Sequence, residues 1–226
     1  MCGRFAMFTP LADIVAQFGI DQATPLEPRY NIAPTQPVAA IRADGEGQKR
    51  LDLLRWGLIP HWAKDVSIGN RLINARAETV AEKPAFRQSF SKRRCLVLAS
   101  GFYEWGQTPA GKYPFFISPP GGECLAFAGL WARWRSAEEE VIESCVIITT
   151  SANESVARVH QRMPVILSDD AQAVWLTENA SREDCLSVLQ PAADGTLDIR
   201  QVRRTVNNPR NEGAELIEEA SEKQTD

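Results

Sequence analysis

The sequence predicts an α+β protein built on a largely antiparallel sheet or barrel with a few flanking helices. Three observations carry that expectation. Short apolar runs rich in β-branched and aromatic residues, bounded by turn residues, recur along the chain. Few segments combine helical spacing with a start signal. At 226 residues and 44% hydrophobic content, there is material for one good core or at most two small ones.

Taken in order, Thr9 followed by Pro10-Leu11-Ala12-Asp13-Ile14 reads as a helix start, with Thr9 as cap and Pro10 in the first turn. Leu11, Ile14, Val15 and Phe18 are spaced for one apolar face, and Gly19 ends the helix. Residues 38–41, 51–56, 95–99, 114–117, 125–131 and 141–150 read as strands. A second helix begins near Ser168, with Asp169 and Asp170 in its first turn and Ala173, Val174 and Leu176 as apolar positions. No repeat and no proline- or glycine-rich linker divides the chain, so one domain over residues 2–210 is expected, followed by an acidic tail, 211–226, that contributes little to the core.

Composition narrows the functional classes. No stretch approaches the roughly 20 apolar residues of a membrane span and the start lacks a signal-peptide layout, so a cytoplasmic protein away from membranes is expected. Five cysteines, odd in number and without CxxC spacing, argue against a disulfide framework or a zinc site. Cys95, Cys124 and Cys145 sit in strand-like runs as small hydrophobes, whereas Cys2 has no such setting. The net charge of -4 is misleading for nucleic-acid binding, because residues 211–226 carry six acids and one base. Residues 1–210 are close to neutral at +1, and Arg71, Arg76, Lys83, Arg87, Lys92, Arg93 and Arg94 form a local basic excess that suits phosphates or simply a solvated face.

The chemistry starts at Cys2. A small second residue favours removal of Met1, which leaves a 1,2-aminothiol at the new N-terminus. An α-amine with a pKa of about 7.7 to 8.0 is roughly a quarter neutral at pH 7.4, a few hundredfold more than a lysine. A neutral amine condenses with an aldehyde to a Schiff base, and the adjacent thiol then closes a five-membered thiazolidine. The same residue also suits thiol attack on an amide with its own amine as base.

Other candidates surround it in the sequence. Glu104, in Gly101-Phe102-Tyr103-Glu104-Trp105, stands among aromatics that favour the protonated acid, a proton shuttle in the making; a turn glutamate is the plainer alternative. His160 precedes the apolar run 163–167, with Arg162 two residues on and on the same face of an extended chain. His61 reads as loop packing. Asn74, Arg76 and Glu78 alternate so that an amide, a guanidinium and a carboxylate share one face: Arg76 suits a phosphate and Asn74 a sugar or base, with an Arg76–Glu78 surface pair as the alternative. Trp56 and Trp62 flank a loop, 57–60, where an indole either stacks on a base or packs.

Taken together these residues resemble the SOS-response-associated peptidase, or SRAP, family. The resemblance spans nearly the whole chain. It runs through Met1-Cys2-Gly3-Arg4, Arg29-Tyr30-Asn31-Ile32-Ala33-Pro34, Arg55-Trp56-Gly57-Leu58-Ile59-Pro60, Ile73-Asn74-Ala75-Arg76-Ala77-Glu78-Thr79, Gly101-Phe102-Tyr103-Glu104-Trp105, Ala128-Gly129-Leu130-Trp131, Ile147-Ile148-Thr149-Thr150 and the segment 160–167. It implies a compact single α+β domain with a twisted, barrel-like, mainly antiparallel sheet. It further implies covalent capture of abasic sites in single-stranded DNA by Cys2, with Asn74 positioning the opened sugar and His160 assisting ring opening. Glu104 would serve as acid/base for Schiff-base formation and for reversal. Arg4, Arg76 and Arg162 match phosphate-holding positions, Trp56 and Gly57 would line the DNA path, and Pro34 would lie near the abasic gap. Lyase and autoproteolytic or peptidase-like activity come with the same resemblance, as does action in the cytoplasm, at the nucleoid in a bacterium. No cofactor and no metal are expected, and the protein is expected to act as a monomer. Leu98, Ser100, Ser151 and Gln161 depart from the common pattern without replacing a reacting group.

Two other readings stand beside capture. An N-terminal-nucleophile amidohydrolase or amidotransferase also begins Met-Cys-Gly, but no second synthase or transferase domain follows and Arg4 interrupts the usual aliphatic strand. A non-covalent single-strand binding module is weakened by the +1 body, since electrostatic binders carry a strong basic excess.

Overall fold

The computed structural model describes residues 2–220. Its strands are β1 (Phe5–Met7), β2 (Gln22–Ala23), β3 (Arg29–Ile32), β4 (Pro37–Ala43), β5 (Lys49–Trp56), β6 (Asn74–Arg76), β7 (Arg94–Ala99), β8 (Gly101–Thr108), β9 (Gly111–Ser118), β10 (Leu125–Arg135), β11 (Val141–Ser151), β12 (Arg162–Pro164) and β13 (Asp198–Gln201). The helices are α1 (Leu11–Phe18), α2 (Arg87–Lys92), α3 (Glu154–Ala157), α4 (Asp169–Leu176) and α5 (Arg182–Ser187).

The apolar runs close into a barrel. Antiparallel pairs link β5 to β4, β4 to β7, β7 to β10 and β10 to β11. A parallel pairing then returns β11 to β5, with Ser144 opposite Arg55 and Cys145 opposite Trp56, and completes a ring of five strands. Every residue of β7 is buried, which a strand apolar at all positions requires. Closure abolishes the sheet edge there, and β6 adds to β11 in parallel, Asn74 opposite Ile147.

A second sheet, ordered β13-β9-β8-β1-β3, lies beside the barrel. It brings the N-terminal strand against β8, with Phe5 opposite Phe102, so the residues just before β1 lie near those along β8. Gly101 permits the close packing of β9 on β8: a Cβ there would sit 2.3 Å from the Phe116 ring. A small core of Ala6, Tyr103, Phe116, Val202, Val206 and Leu216 fills the outer side of this sheet. No helix among the described residues is long and apolar enough to cross a membrane.

Several expectations need correction. Pro10 is the N-cap of α1 and makes no side-chain cap, while the Thr9 hydroxyl pairs with Ser100 Oγ at 2.8 Å. Gly19 does end α1, in the left-handed region at φ 60°. In α4 the buried residue is Trp175, whose indole donates to the Cys95 carbonyl, and Ala173 faces solvent; the helix is anchored by one large ring rather than by an aliphatic stripe. The acidic tail is not peripheral: Leu216 is buried in the small core. The last residues of that tail, 221–226, lie outside the described residues. β8 escaped the pattern because two glycines and a buried glutamate interrupt its apolar periodicity; pairing with β9 from Phe102–Ile117 to Thr108–Gly111 makes it a strand.

Candidate active site

Cys2 leads into β1 and is fully buried, although no strand-like run surrounds it in the sequence. Burial first, and the nearby Glu104 charge second, push its thiol well above the ordinary cysteine range. The Cys2 carbonyl accepts a hydrogen bond from Asn74 Nδ2 at 2.7 Å. Asn74 is held there as the first residue of β6, and Trp56 Nε1 fixes the preceding residue by donating to the Ile73 carbonyl at 2.9 Å. The Asn74 Oδ1 atom is buried without a hydrogen-bond partner, so the amide has an acceptor to offer a ligand hydroxyl.

Glu104 approaches from β8 and is 3% exposed. Burial raises its carboxyl above the usual glutamate range, offset in part by His160 and Lys112. A carboxyl raised in this way is shifted toward the form that can give a proton. His160 follows α3, and its Nδ1 accepts from the Arg162 backbone N–H at 3.0 Å. The same Nδ1 lies 3.0 Å from the Arg162 carbonyl oxygen, to which it would donate in the other tautomer. The electrostatic influence of Glu104 on Cys2 and of His160 on Glu104 puts the three groups in one cluster, to which Asn74 is joined by its hydrogen bond.

The three arginines separate into different settings. Arg76 ends β6 exposed, and its side chain makes no hydrogen bond or ion pair among the described residues. Arg162 is committed: its Nη1 and Nη2 meet Glu78 at 2.5 and 3.1 Å, and Nη2 also donates to the Thr149 carbonyl at 2.7 Å. The alternative of an Arg76–Glu78 pair is thus not formed, because β12 pairing on β11 delivers Arg162 to the carboxylate. Burial lowers the pKa of Arg4, and its Nη1 donates to Asn31 Oδ1 and the Val206 carbonyl at 2.7 and 2.8 Å.

Trp56 ends β5, in keeping with the strand expected over 51–56, is fully buried, and packs edge-on against Phe5 with ring centroids 5.0 Å apart, so of the two roles left open for the indole the structure shows packing. Gly57, at φ 123°, lies against Gly69: a Cβ on either would come within 2.6 Å of the other's carbonyl oxygen. Trp62 is the loop indole that stays half exposed. Pro34 is partly buried beside Thr35, whose φ of 74° is strained for a β-branched residue. Asn31, fully buried, was not singled out as a functional candidate; a polar residue in an otherwise strand-like Arg29–Ile32 run was its only local signal. Among the described residues no cluster of three or more His, Cys, Asp or Glu side chains is placed to hold a metal ion.

The profile of the SOS response associated peptidase (SRAP) family matches residues 1–209. The chain belongs to the SRAP family. It is 45% identical over 96% of its length to the abasic site processing protein YoqW of Bacillus subtilis, covering 99% of that protein. It is 31% identical to the abasic site processing protein YedK of Escherichia coli, over 96% of this chain and 99% of that one. A crystal structure of a Bacteroides thetaiotaomicron protein, 26% identical, superposes with a TM-score of 0.88 over 97% of this chain and all of the other. Within this SRAP domain the departure at Ser100 has a clear job: its hydroxyl accepts from the Phe8 and Thr9 amides at 2.8 and 3.0 Å and anchors the chain between β1 and α1.

Proposed function

We propose that this SRAP protein processes abasic sites in single-stranded DNA by covalent capture on Cys2 once Met1 has been removed, protecting the lesion during replication-associated damage. The observation that carries the reading is the meeting of Cys2, Asn74, Glu104 and His160, residues drawn from β8, β6 and two chain segments, around one buried N-terminal position. The names of the relatives point the same way.

The chemistry follows from the groups present. An abasic sugar opens to an aldehyde when its ring oxygen gains a proton and its anomeric hydroxyl loses one, a transfer suited to His160. The neutral Cys2 amine adds to the aldehyde carbon, and protonation of the resulting hydroxyl by Glu104 expels water and leaves the imine. The thiol then adds to the imine carbon, its proton passing to nitrogen, and the ring closes as a thiazolidine. Asn74 Oδ1 is the acceptor for a hydroxyl of the opened sugar. Reversal runs the same proton transfers backwards, with Glu104 as base. A lyase outcome would follow if the imine lost the 3′ phosphate by elimination before the thiol closed. The upward shift of the buried thiol weighs against a thiolate that attacks amides, and so against the peptidase alternative. The protein is read as acting in the cytoplasm, as a monomer and without cofactor.

Intact-mass analysis after incubation with abasic single-stranded DNA tests this directly. The wild type should lose Met1 and gain the mass of the oligonucleotide less water, and Cys2→Ala should gain nothing. Cys2→Ser keeps the amine and should give an adduct only when borohydride traps the imine. Equal adduct in wild type and Cys2→Ala would refute capture at this residue.

A further inference from the structure

The C-terminal segment crosses the outer face of β3 and β1 and is tied there by one buried amide. Asn31 Nδ2 donates to the carbonyls of Val206, Asn208 and Asn211 at 3.3, 3.0 and 2.8 Å. Its Oδ1 accepts from Arg4 Nη1 at 2.7 Å, and the same Nη1 reaches the Val206 carbonyl at 2.8 Å. Glu212 accepts from the Tyr30 amide, Tyr103 donates to the Tyr30 carbonyl at 2.7 Å, and Trp105 donates to Asn207 Oδ1 at 2.7 Å. The segment is therefore bound to all three strands that frame the start of the chain.

The consequence falls on Arg4. Its Nη1 is saturated by two fixed acceptors, whereas its Nε is buried with no hydrogen-bond partner. Nε and Nη2 form one edge of a planar guanidinium, the edge whose two parallel N–H bonds match two oxygens of a phosphate. A flexible arginine samples many orientations of that edge; one pinned at Nη1 holds a single plane, which cuts the ordering cost of binding. The ring of Trp105, 6.0 Å from the guanidinium carbon, supports the same plane.

We propose that Asn31 is the positioning residue of a phosphodiester receptor: together with the Val206 carbonyl it locks Arg4 so that the Nε–Nη2 edge takes two oxygens of one backbone phosphate beside Cys2. This rests on the DNA-binding reading of the site, and it adds residues 206–211 to that site although none of them faces the aldehyde.

The test uses the full-length protein and an intact oligothymidylate, so that crosslinking is not needed for the readout. Arg4→Met should weaken binding and reduce the slope of log affinity against log salt by about 0.7, the value of one phosphate contact on a single strand. Asn31→Leu, and Asn31→Asp, which sets a compensating charge beside Arg4, should each give the same reduction. Adding Asn31→Leu to Arg4→Met should produce no further loss, which a general weakening of the fold would not reproduce. Where an Asn31 variant does not fold, the wild type answers alone: the Arg4 Nε–H resonance should move on titration with the oligonucleotide while Nη1 stays fixed. A folded Asn31 variant with the wild-type salt slope, additive losses in the double variant, or an Arg4 Nε–H signal that DNA does not shift would each overturn the proposal. Adduct formation by the wild type is scored separately. Its absence with the slope changes intact sinks the capture chemistry, and its presence with the slope unchanged sinks the Asn31 lock.

Discussion

A groove at the far end of the barrel and the candidate cleft around Cys2 treat buried polar groups in opposite ways. The groove, about 530 Å³, is lined by Arg42, Arg50, Trp131, Arg133 and Glu143 at the far end of β4, β10 and β11. Arg42 there is 4% exposed and fully engaged: Nε and Nη2 meet Asp52 and Glu143 at 2.8 and 2.9 Å, and its guanidinium lies 4.4 Å from the centre of the Trp131 ring. In the cleft, Asn74 Oδ1 and Arg4 Nε are buried with no hydrogen-bond partner, and Glu104 is pushed toward its protonated form. A folded protein tolerates the desolvation of such groups where a ligand supplies the missing partner.

That contrast can be broken by substitution, and the largest effect is expected at Glu104. Glu104→Gln should slow adduct formation by about 10²- to 10³-fold, measured by gel shift under denaturing conditions, while the melting temperature holds or rises. Arg42→Met should do the reverse, costing about 2 to 3 kcal/mol in urea unfolding as its charged hydrogen bonds are lost, with the adduct rate unchanged. Either result inverted would remove the distinction between a structural and a reactive buried charge.

Next in size, Asn74→Leu should slow capture by about tenfold, the worth of one hydrogen bond to the sugar and one to the Cys2 carbonyl. A pH series sharpens the Glu104 argument. Because its folded carboxyl binds its proton more tightly than an unfolded glutamate does, the native state holds more protons above the ordinary glutamate range. Native stability attributable to Glu104 therefore falls as pH rises through that window. The stability gap between Glu104→Gln and wild type should widen toward neutral pH and vanish in acid; a gap independent of pH would contradict the shift. The smallest effect concerns the arginines. Arg76→Ala should lower the salt slope of binding by about 0.7, whereas Arg162→Ala should lower it less, since Glu78 already neutralises that guanidinium.

Much of the scaffold was legible because it is local. Strands β4, β5, β7, β10 and β11 announce themselves as β-rich apolar runs, and α1 by its apolar face and Gly19. The end of β5 at Trp56 was legible too, but whether that indole packs or stacks was left open, and only the packing of Phe5 on its ring decides. The partner of Glu78 was not legible: period-two spacing puts Arg76 and Glu78 on one face, but it says nothing of a third segment arriving from β12.

From the sequence alone came the aminothiol of Cys2, the order of the motif blocks, and hence the family and the candidates Asn74, Glu104 and His160. These are chemical identities, and a residue type carries its own pKa and nucleophilicity wherever it lies. Tertiary structure alone decided that Cys2 is buried and that Arg4 is pinned through Asn31 to a segment 202 residues away. Burial and partner geometry arise from closing the barrel and docking the second sheet on it, events that join distant parts of the chain and leave no periodic trace in any one of them.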